Sequence, residues 1–286
     1  MQHPERWRET VDPYALPYRS FELKEVLGYP HAGNDVFHAR GICEQCGEAC
    51  EVEVYIKVAR QDGADIRNEI ETIRRLGWTL APQVIDCDEE EQRFVVTLAR
   101  RGERLSTLVG DNRDGASLGY MFEYGQTLAR LHAVQGEFAP VKDRRFFHIP
   151  DSAYFERENL AFVREYLVAN RPLRIDRCFC HGDFHYANLL WEAGHISAIL
   201  DFELSGIGCR EFDIAWALVR RPGQKFMNTR EEIELFLHGY ASAGTCSRES
   251  VEYYMVLIYT YFYSIGRDTP GYQAYVMDVF RACCKA

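Results

Sequence analysis

The segment His181 to Glu203, HGDFHYANLLWEAGHISAILDFE, holds three polar side chains, Asp183, Asn188 and Asp201, of the kind that manage a metal-bound phosphate. Moving a phosphoryl group to an alcohol needs a carboxylate to orient the incoming hydroxyl, oxygen ligands for Mg²⁺, and a cation on the phosphates left behind. The segment has residues for the first two. Asn188 follows Asp183 by five residues, and Asp201 ends an apolar strand, Ile196 to Leu200, where strands present carboxylates to a cleft. A lone His-Gly-Asp would mean little, because those residues meet in many turns. Here it stands at the head of a series: His181-Gly182-Asp183, Asn188, Asp201-Phe202-Glu203, Gly206-Ile207-Gly208 and Phe212-Asp213-Ile214-Ala215.

These five elements, in this order, resemble the aminoglycoside phosphotransferase and choline kinase group, small-molecule relatives of the protein kinases, and the match extends over nearly the whole chain. The resemblance implies an α+β, bilobal, protein-kinase-like fold. Residue by residue, it implies that Asp183 is the catalytic base, that Asn188 and Asp201 hold Mg²⁺, that His181 braces the loop, and that Asp213 hydrogen-bonds the backbone of that loop. The Gly206 to Gly208 stretch corresponds to a loop in the family. His185 and Tyr186 fall where the family varies, so either contacts the acceptor or simply packs.

The missing cation is found upstream. EVEVYIKVA puts Lys57 on a strand among Val54, Ile56 and Val58, and resembles the family's phosphate-gripping lysine. The following helix, ADIRNEIETIRRLG, has Ile66, Ile70, Ile73 and Leu76 at helical spacing and stops at Gly77. Glu69 borders that apolar stripe while Glu71 points about 160° away around the helix. Glu69 is therefore the expected partner of Lys57.

The phosphate loop is expected in GYPHAGNDVFHAR, where Gly33 and Asn34 can take the positive φ of a tight turn and offer N–H groups to phosphate; an ordinary hairpin is the alternative. It departs from the protein-kinase Gly-rich pattern. TLARRGERLSTLV reads as the hinge, with the backbone from Leu98 to Arg100 meeting the edge of ATP, or equally of GTP. The thiols of Cys43, Cys46 and Cys50 crowd one hairpin tip, either as part of a zinc site completed by His38 or a partner chain, or as free thiols. Cys178 and Cys180 are expected to pack as small apolar groups.

Strand patterns over FELKEVLGY, NDVFHAR, EVEVYIKVA, QVIDCD and QRFVVTLA give a nucleotide-binding lobe over residues 1–99. Helical patterns from GYMFEYGQTLARLHAV onwards, including SAYFERENLAFVREYLVAN as one span, give a catalytic and acceptor-binding lobe over 100–286. Tyr253 to Tyr263 is apolar but too short for a bilayer. The 286 residues are 47% hydrophobic and 27% charged, which is the composition of a folded globular chain, and no secretory leader is legible. A net charge of -10 repels nucleic acid, and no membrane segment is expected. A cytoplasmic location without structural disulfides follows.

The expected activity is ATP-dependent phosphorylation of a small-molecule hydroxyl, on an aminoglycoside, amino sugar, choline or homoserine. The short interval between Asp201 and Asp213 leaves no room for the substrate-docking segment of a protein kinase. The alternative is an inert module that binds nucleotide without turnover.

Overall fold

The computed structural model describes residues 11–30, 34–45, 48–60, 63–110, 115–224 and 226–284. The chain folds as two compact units. The first comprises Met1–Gly102 together with Ser197–Ser205, and the second Glu103–Ile196 with Gly206–Ala286. Residues near 200 therefore return to the N-terminal unit, a long-range exchange that a linear division near residue 100 does not contain.

The first unit contains β1 (Phe21–Gly28), β2 (Asp35–Gln45), β3 (Glu48–Val58), α1 (Ile66–Leu76), β4 (Val84–Cys87) and β5 (Phe94–Leu98). The strands form one antiparallel sheet in the order β1-β2-β3-β5-β4. Side chains alternate across β3, so Val54, Ile56 and Val58 enter a core with Phe37, Ala39, Phe94 and Val96. Lys57 must then leave by the opposite face. It stands directly across from Val95 of β5, and α1 packs on that face through Ile66 and Ile70 against Val95 and Cys87. Each isoleucine stabilises the helix by about 1.5–3 kcal/mol through burial. Asp65 caps the N-terminus of α1 by accepting from Asn68 N–H at 3.0 Å, and Gly77 ends it in a left-handed conformation with φ 53°.

The second unit contains β6 (Glu103–Arg104), α2 (Leu105–Leu108), α3 (Leu118–His132), α4 (Ser152–Arg157), α5 (Ala161–Ala169), β7 (Arg177–Cys180) and β8 (Leu189–Glu192). The chain passes through β9 (His195–Ile199) into the first unit and returns with β10 (Gly206–Cys209), α6 (Arg210–Leu218), α7 (Arg230–Ala241), α8 (Arg248–Ile265) and α9 (Tyr272–Cys283). Helices α3 and α7 touch backbone to backbone: a Cβ on Gly125 would lie 1.9 Å from the Phe236 carbonyl oxygen, and one on Gly239 would lie 1.9 Å from that of Phe122. Only glycine permits so close an approach. Helix α8 is buried along most of its length, and no helix among the described residues is long and apolar enough to cross a membrane.

Two sequence expectations need correction. The span 152–170 is not one helix, because Asn159 takes a left-handed φ of 55° between α4 and α5. Glu158, buried there, accepts two hydrogen bonds from Arg267, at 2.8 and 2.9 Å, and this ion pair fixes the break. Gly206 to Gly208 is not a loop either. It is strand β10, pairing Gly206 with Cys180 and Gly208 with Cys178.

Candidate functional site

In the first unit, α1 and the return segment bring three carboxylates to Lys57. Its Nζ lies 2.7 Å from Glu69 Oε2, 2.7 Å from Asp201 Oδ1 and 2.9 Å from Glu203 Oε2. Glu71 faces away, paired with Arg67 and Arg75. Burial disfavours the Lys57 charge, yet the three carboxylates outweigh it and hold the ammonium well above the usual lysine range. Burial pushes Glu69 up from the usual carboxylate range, with Lys57 opposing. Asp201 keeps 43% of its side chain exposed against 7% for Glu69, so Asp201 is the member that a dissolved cation can reach. Its φ of 67° is a strained conformation of the kind that collects at functional sites.

Glu203 is the member for which sequence reasoning had no role. Besides Lys57 it accepts from Asn34 Nδ2 at 2.8 Å and from the Asp65 N–H at 3.0 Å, joining the start of β2 to the N-terminus of α1. The side chain of Asn34 is thus buried and engaged with protein, its Oδ1 accepting from Arg60 N–H. Gly33 and Cys46 lie outside the described residues. In the hinge stretch, the N–H groups of Leu98 and Ala99 already donate to the carbonyls of Gln83 and Glu53. The Arg100 guanidinium donates to the carbonyls of Thr79 and Ser197. Cys43 and Cys50 are cross-strand neighbours in the β2–β3 hairpin, whereas His38 stacks on Tyr55 and pairs with Glu53.

In the second unit, strand β7 delivers His181, Gly182 and Asp183. The buried Asp213 of α6 accepts from the backbone N–H of His181 at 2.9 Å and of Gly182 at 3.0 Å, clamping the loop. His181 is itself buried and accepts from Asp183 N–H through Nδ1 at 3.3 Å. Asn188 donates through Nδ2 to Asp183 Oδ2 and to the Asp183 carbonyl, at 3.2 and 3.0 Å. Trp216 Nε1 donates to the other carboxylate oxygen at 2.7 Å, and His185 Nε2 stands 3.5 Å from Oδ2. Burial alone would raise the Asp183 pKa, but His185, Arg221 and Trp216 hold it well below the usual carboxylate range.

Behind this loop, His132 of α3 contacts Asp213 Oδ2 through Nε2 at 3.2 Å and the Tyr240 hydroxyl through Nδ1. Burial opposes its charge, but Asp213 and Cys178 push its pKa up to about 9. Cys178 and Cys180 are more than apolar filling: their sulfurs lie 3.8 Å apart, and the Cys180 thiol, with His132, lowers the Cys178 pKa to about 6. Trp216 and His132 act on the candidate site across 33 and 81 residues of sequence. No local pattern marks such partners.

A family profile described as "Phosphotransferase enzyme family" matches residues 53–249, more than half of the chain. The chain belongs to the phosphotransferase enzyme family. No curated protein sequence matches this phosphotransferase. Among solved structures it is similar to a choline/ethanolamine kinase family protein from Mesorhizobium loti, with TM-score 0.56 and 18% identity over 94% of this chain and 90% of that one. It is also similar to macrolide 2'-phosphotransferase from Brachybacterium faecium, with TM-score 0.52 and 18% identity, covering 91% and 92%. APH(2")-IIa in its ternary complex with streptomycin and ATP aligns with TM-score 0.58 and 16% identity over 90% and 91%. At these identities the likeness establishes the fold, which is α+β and kinase-like.

Proposed function

We propose that this phosphotransferase moves the γ-phosphate of ATP, or of GTP, to a hydroxyl group of a small molecule. The observation that carries the reading is the state of Asp183. Each of its carboxylate oxygens is held by a side chain, its loop is clamped by Asp213, and its neighbours hold its pKa below the usual carboxylate range. Such a group accepts the hydrogen bond of an incoming alcohol and fixes the direction of its lone pair. As the bond from the alcohol oxygen to phosphorus forms and the bond to the departing nucleoside diphosphate breaks, the hydroxyl proton passes to Asp183.

The donor set fits Mg²⁺. Three carboxylates share one ammonium around Lys57, so that cluster is net negative, and Asn188 presents a carbonyl oxygen while its amide nitrogen holds Asp183. Asn188 and Asp201 would hold the ion, whose chemistry is to neutralise charge on the phosphates. Lys57 grips the phosphates that are not transferred, and Glu69 positions it. The ATP of the streptomycin complex and the kinase-like fold support the nucleotide assignment.

The test is ADP release with Mg²⁺ and a panel of amino sugars, aminoglycosides, choline and homoserine, comparing the natural chain with Asp183→Asn. Acceptor-dependent release that the substitution removes is the expected result. Release indifferent to both would sink the reading, and nucleotide binding without release would identify an inert module.

A further inference from the structure

Two arginines from separate segments, Arg144 before α4 and Arg221 after α6, meet at one tryptophan. The guanidinium carbons of Arg144 and Arg221 each lie 5.0 Å from the Trp216 ring, whose N–H holds Asp183. Arg144 donates to the Gly182 carbonyl at 2.6 Å, so it touches the loop that carries Asp183. Arg221 donates through Nη1 to the carbonyls of Trp216 and Val219, while its Nη2 is buried with no hydrogen-bond partner. The Tyr124 hydroxyl, stacked beside Phe184, is likewise buried and unpartnered.

Elsewhere in this unit arginines pair with acids: Arg210 with Asp176, Arg248 with Glu234, Arg267 with Glu158. Among the described residues neither Arg144 nor Arg221 has a carboxylate at ion-pair distance. The charges facing them are those of Asp183 and Asp213, and Asp213 is already engaged by His132 and two backbone N–H groups. His185 Nε2 also faces the Asp183 carboxylate, 3.5 Å from Oδ2. Partly buried guanidiniums without a counter-ion are costly, and an orphaned N–H adds to that cost. Burial, together with the neighbouring Arg221, pushes Arg144 below the usual arginine range, the direction expected of a site short of negative charge.

We propose that the acceptor is an anionic alcohol, a small molecule whose carboxylate or phosphate is bound by Arg144 and Arg221 while its hydroxyl is oriented by Asp183. This rests on the phosphotransferase reading above and narrows it. Within the expected acceptor classes it favours acid-bearing members, such as a hydroxy acid or hydroxy amino acid, over choline and the aminoglycosides. Trp216 supplies the flat wall that both guanidiniums stack on, and the forked geometry of each suits an oxyanion.

The experiment uses acceptors that share a carbon skeleton and differ in head-group charge: D-gluconate, D-sorbitol and D-glucamine, then D-glycerate, glycerol and 3-amino-1,2-propanediol, with glycerol 3-phosphate to separate phosphate from carboxylate. ADP release should favour the acids over the neutral and amine members by tenfold or more in kcat/KM. Arg221→Gln should raise KM for the acid tenfold or more with kcat within about threefold, and Arg221→Lys should recover part of the loss; Arg144→Gln should likewise raise KM tenfold or more. Preference for the amines, or loss of kcat at unchanged KM in Arg221→Gln, would overturn the proposal, the latter by assigning the arginines to the transferred phosphate. If no acceptor releases ADP, the phosphotransferase reading is the one that has failed on this panel. Calorimetric titration with gluconate and glycerol 3-phosphate then decides the present proposal: binding that Arg221→Gln abolishes supports it, and absent binding or binding indifferent to the substitution overturns it.

Discussion

Around Lys57 one ammonium is shared by three carboxylates, whereas Asp183 is held by Trp216, whose ring carries two guanidiniums, and faces His185. The first cluster has negative charge to offer a metal ion, and the second has positive charge to offer an anion. Both occur in a chain whose net charge is -10. Composition governs the field far from the surface, where screening over about 8–10 Å averages it. Inside a site, the groups within a few ångströms decide the sign. The overall acidity that favours a cationic acceptor is therefore a weaker argument than the local excess of arginine.

The contrast can be broken most sharply at the two carboxylates, Asp183 and Asp201. Asp183→Asn should lower turnover by about 10²–10⁴ while nucleotide binding persists, because a positioned base contributes on that scale. Steady-state ADP release and nucleotide titration measure the two effects. Asp201→Ala acts in the other cluster and should weaken binding of Mg²⁺-nucleotide far more than of metal-free nucleotide. Equal losses in titrations with and without Mg²⁺ would remove Asp201 from the metal.

The Lys57 cluster should behave as a coupled unit. Lys57→Ala and Glu69→Ala each impair turnover, and the double substitution should cost less than their sum by roughly 0.5–3 kcal/mol, since the second change removes a group already orphaned. Glu71→Ala, on the outer face with Arg67 and Arg75, should be nearly silent. Strictly additive losses would undo the coupling.

The smallest effect lies behind the Asp183 loop, on β7. The Cys178 pKa is lowered to about 6, chiefly by the Cys180 thiol and then by His132. Alkylation of this thiol by iodoacetamide should rise through a midpoint near pH 6 instead of the ordinary value of about 8.5. Peptide mapping across pH reads this directly. An ordinary midpoint would show that Cys180 and His132 do not stabilise the Cys178 thiolate.

Much of this was legible in the sequence because the governing distances are short along the chain. The helical period of α1 selects Glu69 over Glu71, the alternation of β3 sends Lys57 away from Val54 and Ile56, and the five-residue interval places Asn188 against Asp183. The clamp of Asp213 on the loop was expected only through resemblance, since 31 and 32 residues separate its partners.

The sequence by itself determined the residues able to do phosphate chemistry, the helix face that meets the lysine, and the family to which the chain belongs. The tertiary structure decided which further groups surround them. Glu203 reaches Asn34 across 169 residues and Lys57 beside it, and Trp216 is contacted by Arg144 and Arg221 from separate segments. Periodicity and spacing encode the face a residue presents within its own element, and contacts between elements arise only when hydrophobic burial brings those faces together.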